Sequence, residues 1–567
     1  MRPRPAVVER SEPDAGPADS TTTRLAPAVL LGALFAVASM LVLVQLWAVD
    51  GWPQNHEGDW FASRTEIYAA HLRAGQILAM WSNLDNHGFG SPQPGLYHKL
   101  FYLVAGPIRA LGVPTKAALI LSLATFLAIG GLGTRRLVRS LGADRWVATF
   151  AGLALLGASY TTTNWLIRGA VAELSAAMLV PWALWGFVET IQRQRLHLVL
   201  PLALAGVVWA HTVLAVYLVA LLGLVACVGL AARRTLRPIL GARRLAAGAA
   251  VLALISAPVV LAVRAMGNGY DIGRILPAVY QPINQIRHPF EYVLDSAWRW
   301  GQTFEGLTVQ ADLPVLVALL AAAVSVVVTG RRAGRPVRLP SGQPGVLALC
   351  LLGALCMMLQ LRVMSPVYEL VPGAAFIQFP WRLLAILGPA AIAITYWALG
   401  KAMDTGRARA AAGLCTVMTL HYGGAFVPID YDRIDLEGTA QPVMFSLFGE
   451  YLPASRDSVR PPSLATVRVA QRSAGCDVTE LGPIEEGRPR HFEASCASNA
   501  AIPLPIFSHP LHRVLIEPAG VTISCSAGPG GPSLAGLCWV TLLEGTTAVD
   551  VVPPDFRSVV RSMLPGR

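Results

Sequence analysis

Charge is the scarcest property of this chain. Of its 567 residues only 14% are Asp, Glu, Lys or Arg, while 54% are hydrophobic; an ordinary soluble protein carries about 25% charged residues. That shortage excludes a disordered chain, a small disulfide scaffold and a cytosolic enzyme of normal composition. Lysine is nearly missing: Lys99, Lys116 and Lys401 are the only three, so the basic charge is almost all arginine. The sequence has no G-x-x-x-x-G-K-[ST] nucleotide loop, no C-x-x-C pair and no histidine spacing that suggests zinc. Few ionisable residues stand at the middle of an apolar stretch, where a transporter would keep its site. What is left is a polytopic helical membrane protein.

A spanning helix needs about 20 apolar residues. Eleven stretches qualify, near 25–48, 117–134, 147–163, 171–190, 197–211, 213–232, 246–264, 313–329, 345–362, 383–400 and 410–427. The net charge of +11 would suit a nucleic-acid binder, but its distribution argues for topology instead. Placing 1–24, 135–146, 191–196, 233–245, 330–344 and 401–409 inside puts 22 of the 34 basic residues before 428 in the cytoplasm. This matches the positive-inside rule for an N-in/C-out chain. The expected organisation is a cytoplasmic tail (1–24), a transmembrane domain (25–427) with long outer loops at 50–116 and 265–312, and an extracytoplasmic β-rich domain (428–567). Within the first loop, 97–112 is apolar but too short to span, and is expected at the interface or as a re-entrant segment.

Four cysteines, Cys227, Cys350, Cys356 and Cys415, lie in apolar stretches and read as small hydrophobes. The other four, Cys476, Cys496, Cys525 and Cys538, share the polar C-terminal segment. An even set there reads as two disulfides in an oxidising compartment, with sequential pairing favoured among three possibilities. The alternating stretches LATVRVA, HRVLIEP, GVTISC and CWVTLLE read as short strands of a small β-sandwich.

Candidate chemistry collects on the outer face. Asn55-His56-Glu57-Gly58-Asp59-Trp60 comes just after the first span. Two carboxylates two residues apart can orient a hydroxyl, act as a base, or hold a divalent cation such as Mg or Mn. Arg168 and Glu173 stand at the outer end of a helix, as a paired anchor or with the arginine reaching a lipid phosphate. His211 occupies a break between two spans. Phe376-Ile-Gln-Phe-Pro-Trp-Arg382 enters another span, with Pro380 suited to a helix start and Arg382 offering a planar donor fork. Arg73 would face the same leaflet. Acids and cations on one membrane face fit phosphate-linked chemistry.

Together these pieces resemble the GT-C superfamily of membrane glycosyltransferases. More narrowly they resemble the bacterial "6-pyruvoyl-tetrahydropterin synthase-related" and YfhO-like membrane proteins. The resemblance runs in order through Gly58-Asp59, Trp81…His87-Gly-Phe-Gly-Ser-Pro92, Arg168-Gly-Ala-Val-Ala-Glu173, the Trp-Ala-His211 break, Phe376–Arg382 and Gly449-Glu450-Tyr451-Leu452-Pro453. It implies an inverting transfer from a polyprenyl-phosphate sugar to an envelope glycan, glycolipid or protein. On that reading Asp59 is the catalytic carboxylate and Glu57 its helper or a metal ligand, while Arg168, His211 and Arg382 hold the donor phosphate. Gly95-Leu-Tyr-His-Lys99 replaces an aromatic-Pro-Pro motif frequent in the family, which makes Lys99 a substitute cation. The other reading is a non-catalytic envelope assembly or scaffold protein that keeps the GT-C fold.

Overall fold

The computed structural model describes residues 22–53, 55, 57–233, 242–270, 281–292, 310–332, 343–424, 433–434, 453, 462–517, 521–527 and 534–563. Each of the eleven apolar stretches contains helix. In chain order the longer helices of this region are α1 (Thr22–Val42), α2 (Gly58–Arg73), α3 (Tyr102–Ala110), α4 (Thr115–Ser140), α5 (Arg145–Leu156), α6 (Val171–Arg193), α7 (Val199–Ala210), α8 (Thr212–Arg233), α9 (Ala242–Met266), α10 (Leu313–Arg332), α11 (Pro344–Met358), α12 (Leu384–Ala402) and α13 (Thr405–Tyr422). Of these, five are long and apolar enough to cross a membrane, or six if α11 and the bent segment after it form one broken span. Three more are apolar but shorter. The expected stretch 147–163 is not one helix: α5 stops at Leu156, and a new turn starts at Ser159, whose N–H is capped by Asp312 Oδ1 at 2.7 Å.

Large apolar side chains stand exposed around the bundle, among them Leu30, Leu254, Leu347 and Leu414. Water does not favour such a surface, whereas lipid does. The chain is a multi-pass membrane protein. Segment 97–112 forms the short α3, packed beside α2 rather than spanning; Tyr68 of α2 stacks on Tyr102 with ring centroids 5.4 Å apart.

The C-terminal region forms two antiparallel sheets. Strands β1 (Cys476–Leu481), β2 (Arg490–Cys496), β3 (Ala500–Phe507), β4 (Arg513–Glu517), β5 (Val521–Ser524), β6 (Ser526–Ala527), β7 (Leu537–Leu542) and β8 (Gly545–Val552) pair in the orders β1-β2-β8-β4-β5 and β3-β7-β6. Phe492, Val514 and Val549 of the first sheet meet Ile502, Leu504 and Val540 of the second in one core. The disulfides are Cys476–Cys496 and Cys525–Cys538, the sequential pairing, and the four membrane cysteines are free.

One expected strand is a helix. LATVRVA lies in α14 (Leu464–Ser473), because Ser463 Oγ caps the Thr466 N–H at 3.1 Å and Val467 and Gln471, four apart, share the buried face. Alternation over seven residues fits either period, and the cap decides it.

The two-sheet domain sits on the first long loop. Phe507 N–H donates to Phe89 O at 2.7 Å, and Glu486 accepts from Ser82 Oγ (2.6 Å) and from the Asn83 and Leu84 N–H groups. Its last helix, α15 (Phe556–Ser562), buries Val559 against Ala262 and Met266 at the end of α9. Loop and domain therefore share one face of the bundle.

Candidate active site

Three helix irregularities build the site. The first is a π-turn, Thr163–Ile167, closed by the Arg168 N–H on Thr163 O at 2.9 Å. Such wide turns interrupt a helix and re-aim the residues after them. Arg168 O then accepts the Glu57 N–H at 3.0 Å, tying the first long loop to this corner. Gly169 makes the approach possible: its φ is +67°, and a Cβ there would stand 2.4 Å from Asn55 Oδ1.

The second irregularity is the break at His211, whose extended backbone (φ −162°, ψ 97°) separates α7 from α8. Trp209 O, released by the break, accepts the Lys99 and Leu100 N–H groups at 3.0 and 3.1 Å. The third precedes α12. Gln378, not a glycine, holds φ at +60°, and Pro380 opens a 3-10 turn that delivers Arg382.

These corners bring Arg168, Glu173 and Arg382 together. Glu173 Oε2 takes Arg168 Nη1 at 3.0 Å and Arg382 Nε at 3.1 Å, while the Tyr160 hydroxyl donates to Oε1. The carboxylate is buried, so it needs this full set of partners to stay charged. Asn164 Oδ1 accepts from Arg168 Nη1 at 2.6 Å, and Gln378 Oε1 and Ile377 O accept from Arg382 Nη1 at 3.0 and 2.9 Å. Arg168 lies over the Trp381 ring at 4.6 Å and Arg382 over Phe379 at 4.8 Å, which fixes both guanidinium planes.

Glu57 lies beside this cluster, accepting from the Tyr97 hydroxyl at 3.3 Å. Burial pushes its carboxyl up to about 7, against the pull of Arg168 and Arg382. Its described neighbours are Arg168, Arg382, Glu173 and the Tyr97 hydroxyl. Among the described residues no three His, Cys, Asp or Glu side chains gather as a metal would require. Asp59 lies in the first turn of α2, but its side chain falls outside the described residues, as do His56 and Gly449–Leu452. His211 stacks on His98, with ring centroids 4.3 Å apart.

Two expected site residues are placed elsewhere. Lys99 is fully buried, and its Nζ donates to the carbonyls of Pro94, Gly95 and Tyr97 at 2.8, 2.9 and 3.1 Å. Three protons on three carbonyls leave none for a phosphate, so Lys99 staples the loop turn instead. Burial also lowers it to about 7. Arg73 ends α2, ~22 Å along the helix from Gly58 at its rise of about 1.5 Å per residue. There its Nη2 donates to Arg109 O at 3.0 Å, exposed and remote from the cluster.

Tyr160 carries no signal in the sequence, while Tyr97, His98 and Gln378 lie in stretches singled out there for Lys99 and Arg382; their contacts come from the fold. Asn164 was detectable, four residues before Arg168 and so on the same helical face.

The donors outnumber the acceptors. Arg168 engages side chains through Nη1 alone, and Arg382 keeps Nη2 without a partner among the described residues. Asn164 Nδ2 and Trp381 Nε1 are buried with no partner among those residues. Such a set lacks an anion.

No protein-family model matches the chain, and no curated protein matches it. Solved structures do. Arabinofuranosyltransferase AftD from mycobacteria matches in three structures at 18–19% identity and TM-scores of 0.42–0.46, over 70–72% of this chain and 26–29% of AftD. ArnT from Cupriavidus metallidurans, apo and bound to undecaprenyl phosphate, matches at 15% identity and a TM-score of 0.39. It does so over 66–68% of this chain and 60% of its own. The chain thus spans little more than a quarter of the length of AftD. Both neighbours are GT-C superfamily membrane glycosyltransferases.

Proposed function

We propose that this protein is a glycosyltransferase that moves a sugar from a polyprenyl-phosphate-linked donor to a cell-envelope glycan, glycolipid or protein. It would act on the outer face of a bacterial plasma membrane, with the N-terminus inside and the two-sheet domain outside. The observation that carries the reading is the surplus of buried and half-buried N–H donors around Arg168, Glu173 and Arg382. A phosphate supplies the missing acceptors, and arginine holds it without titrating. The shared face of loop and C-terminal domain offers the acceptor a surface.

In the reaction an acceptor hydroxyl attacks the anomeric carbon. A new C–O bond forms, the bond from that carbon to the phosphate oxygen breaks, and polyprenyl phosphate leaves with the electron pair. The hydroxyl proton passes to a carboxylate, Asp59 with Glu57 beside it. One displacement inverts the anomeric centre. Arg168 and Arg382 stabilise the charge that grows on the leaving phosphate.

The test is release of free polyprenyl phosphate by the purified protein in lipid, offered a panel of polyprenyl-phosphate sugars and an envelope extract. Wild type should release it and Asp59→Asn should not. Equal release by both removes Asp59 from the chemistry. Tight binding of polyprenyl phosphate without turnover of any sugar would favour the scaffold reading.

A further inference from the structure

His98 is a residue that the sequence does not single out, yet the fold presses it against His211. The rings lie 4.3 Å apart at 26° to one another. Each ring accepts a backbone N–H at Nδ1: Thr212 N–H reaches His98 Nδ1 at 3.4 Å, and Leu214 N–H reaches His211 Nδ1 at 3.2 Å. Thr212 and Leu214 belong to the first turn of α8, whose amides have no partner within the helix. His211 is thus the cap of α8, and His98 takes a second of its free amides.

This capping fixes the chemistry of both rings. A nitrogen that accepts a hydrogen bond carries no proton, so the single proton of each neutral imidazole sits on Nε2. The positive end of α8 opposes a second proton. Burial opposes a second proton on His98, and His211, Arg382 and Lys99 oppose it further, against the pull of Glu173. Neither Nε2 has a partner among the described residues.

We propose that His98 and His211 complete the donor-phosphate pocket as two neutral N–H donors, each locked in the Nε2–H tautomer by the N-terminus of α8. The pair adds hydrogen bonds to the phosphate without adding charge, beside arginines that supply the charge. This rests on the donor-phosphate reading of the Arg168–Arg382 cluster.

Two substitutions separate ligand binding from capping. Asn places an acceptor where His has Nδ1, so His98→Asn keeps the α8 contact and loses the Nε2–H donor. Gln places its amide near Nε2, so His98→Gln keeps the donor and loses the contact. The measurement is the affinity of the full-length protein in phosphatidylcholine nanodiscs for undecaprenyl phosphate and for undecaprenol. Wild type should prefer the phosphate. His98→Asn should lose about tenfold or more of that preference, the scale of one hydrogen bond to a charged group, and His98→Gln should stay within about threefold of wild type.

The reverse order, or two variants that match wild type, overturns the proposal while the cluster remains a phosphate site. No preference in wild type would instead overturn the donor-phosphate reading, and this proposal with it. If the His98 variants fail to fold, His211→Asn carries the same test. Asparagine is a good helix cap, so this variant should keep the melting temperature of wild type and lose the preference.

Discussion

Two buried carboxylates, Glu486 and Glu173, do different things in this molecule. Glu486 closes its hydrogen bonds. Ser82 Oγ and the Leu84 N–H donate to Oε1, the Asn83 N–H donates to Oε2 at 2.8 Å, and His71 Nε2 stands 3.5 Å from Oε2. Around it Asn83 Nδ2 reaches Glu485 O and Arg488 O, so the loop and the two-sheet domain are latched. Glu173 is as deeply buried and as well partnered, but its partners are not closed in turn. Arg168 and Arg382 reach it with part of each fork and, among the described residues, hold other N–H groups open. Burial and charge do not distinguish a latch from a site. What distinguishes them is whether the partners of the carboxylate still lack acceptors.

That contrast can be broken experimentally. The largest effect is expected at Glu173→Ala, which leaves two guanidiniums unpaired. The variant should lose about 3–5 kcal/mol of stability, read as a lower thermal midpoint in detergent, together with the preference for polyprenyl phosphate over the alcohol. Glu486→Ala should cost about 2–3 kcal/mol through the donors it strands and should expose the C-terminal domain to protease. In the folded fraction it should leave phosphate preference intact, and a loss there would erase the distinction.

Glu57 gives a sharper and smaller test. Its carboxyl is raised to about 7, so it becomes ionised, and able to take a proton, only as the pH climbs through that value. Turnover should therefore rise between pH 6 and 8. Because the folded pKa lies above the ordinary glutamate value of 4.5, the same group should lose stability as the pH rises from there to about 7. Glu57→Gln should flatten both curves; a rate limb that survives the substitution belongs to another group. The smallest effect is expected on the opposite face, where Arg409 meets Asp144 at 2.9 Å in a largely exposed pair. Arg409→Ala should change stability by no more than about 1 kcal/mol and leave polyprenyl phosphate binding untouched.

The sequence by itself determined what depends on neighbours along the chain. Runs of apolar residues gave helix positions, because burying or lipid-facing a helix needs only the right composition over about 20 residues. An even set of cysteines in the polar tail implied two disulfides, and Cys476–Cys496 and Cys525–Cys538 are those bonds. Arg168, His211 and Arg382 were legible because a cation or an imidazole at a helix break is rare enough to notice. Nearby groups decided two more points: the Ser463 cap, three residues before Thr466, made LATVRVA a helix, and carbonyls two to five residues away took up Lys99 Nζ. Tertiary structure decided the rest: it set Arg73 against Arg109 and stacked His98 on His211. The physical reason is common to both. Hydropathy is a property of a segment, but whether a donor finds an acceptor depends on groups that the chain order alone does not bring together.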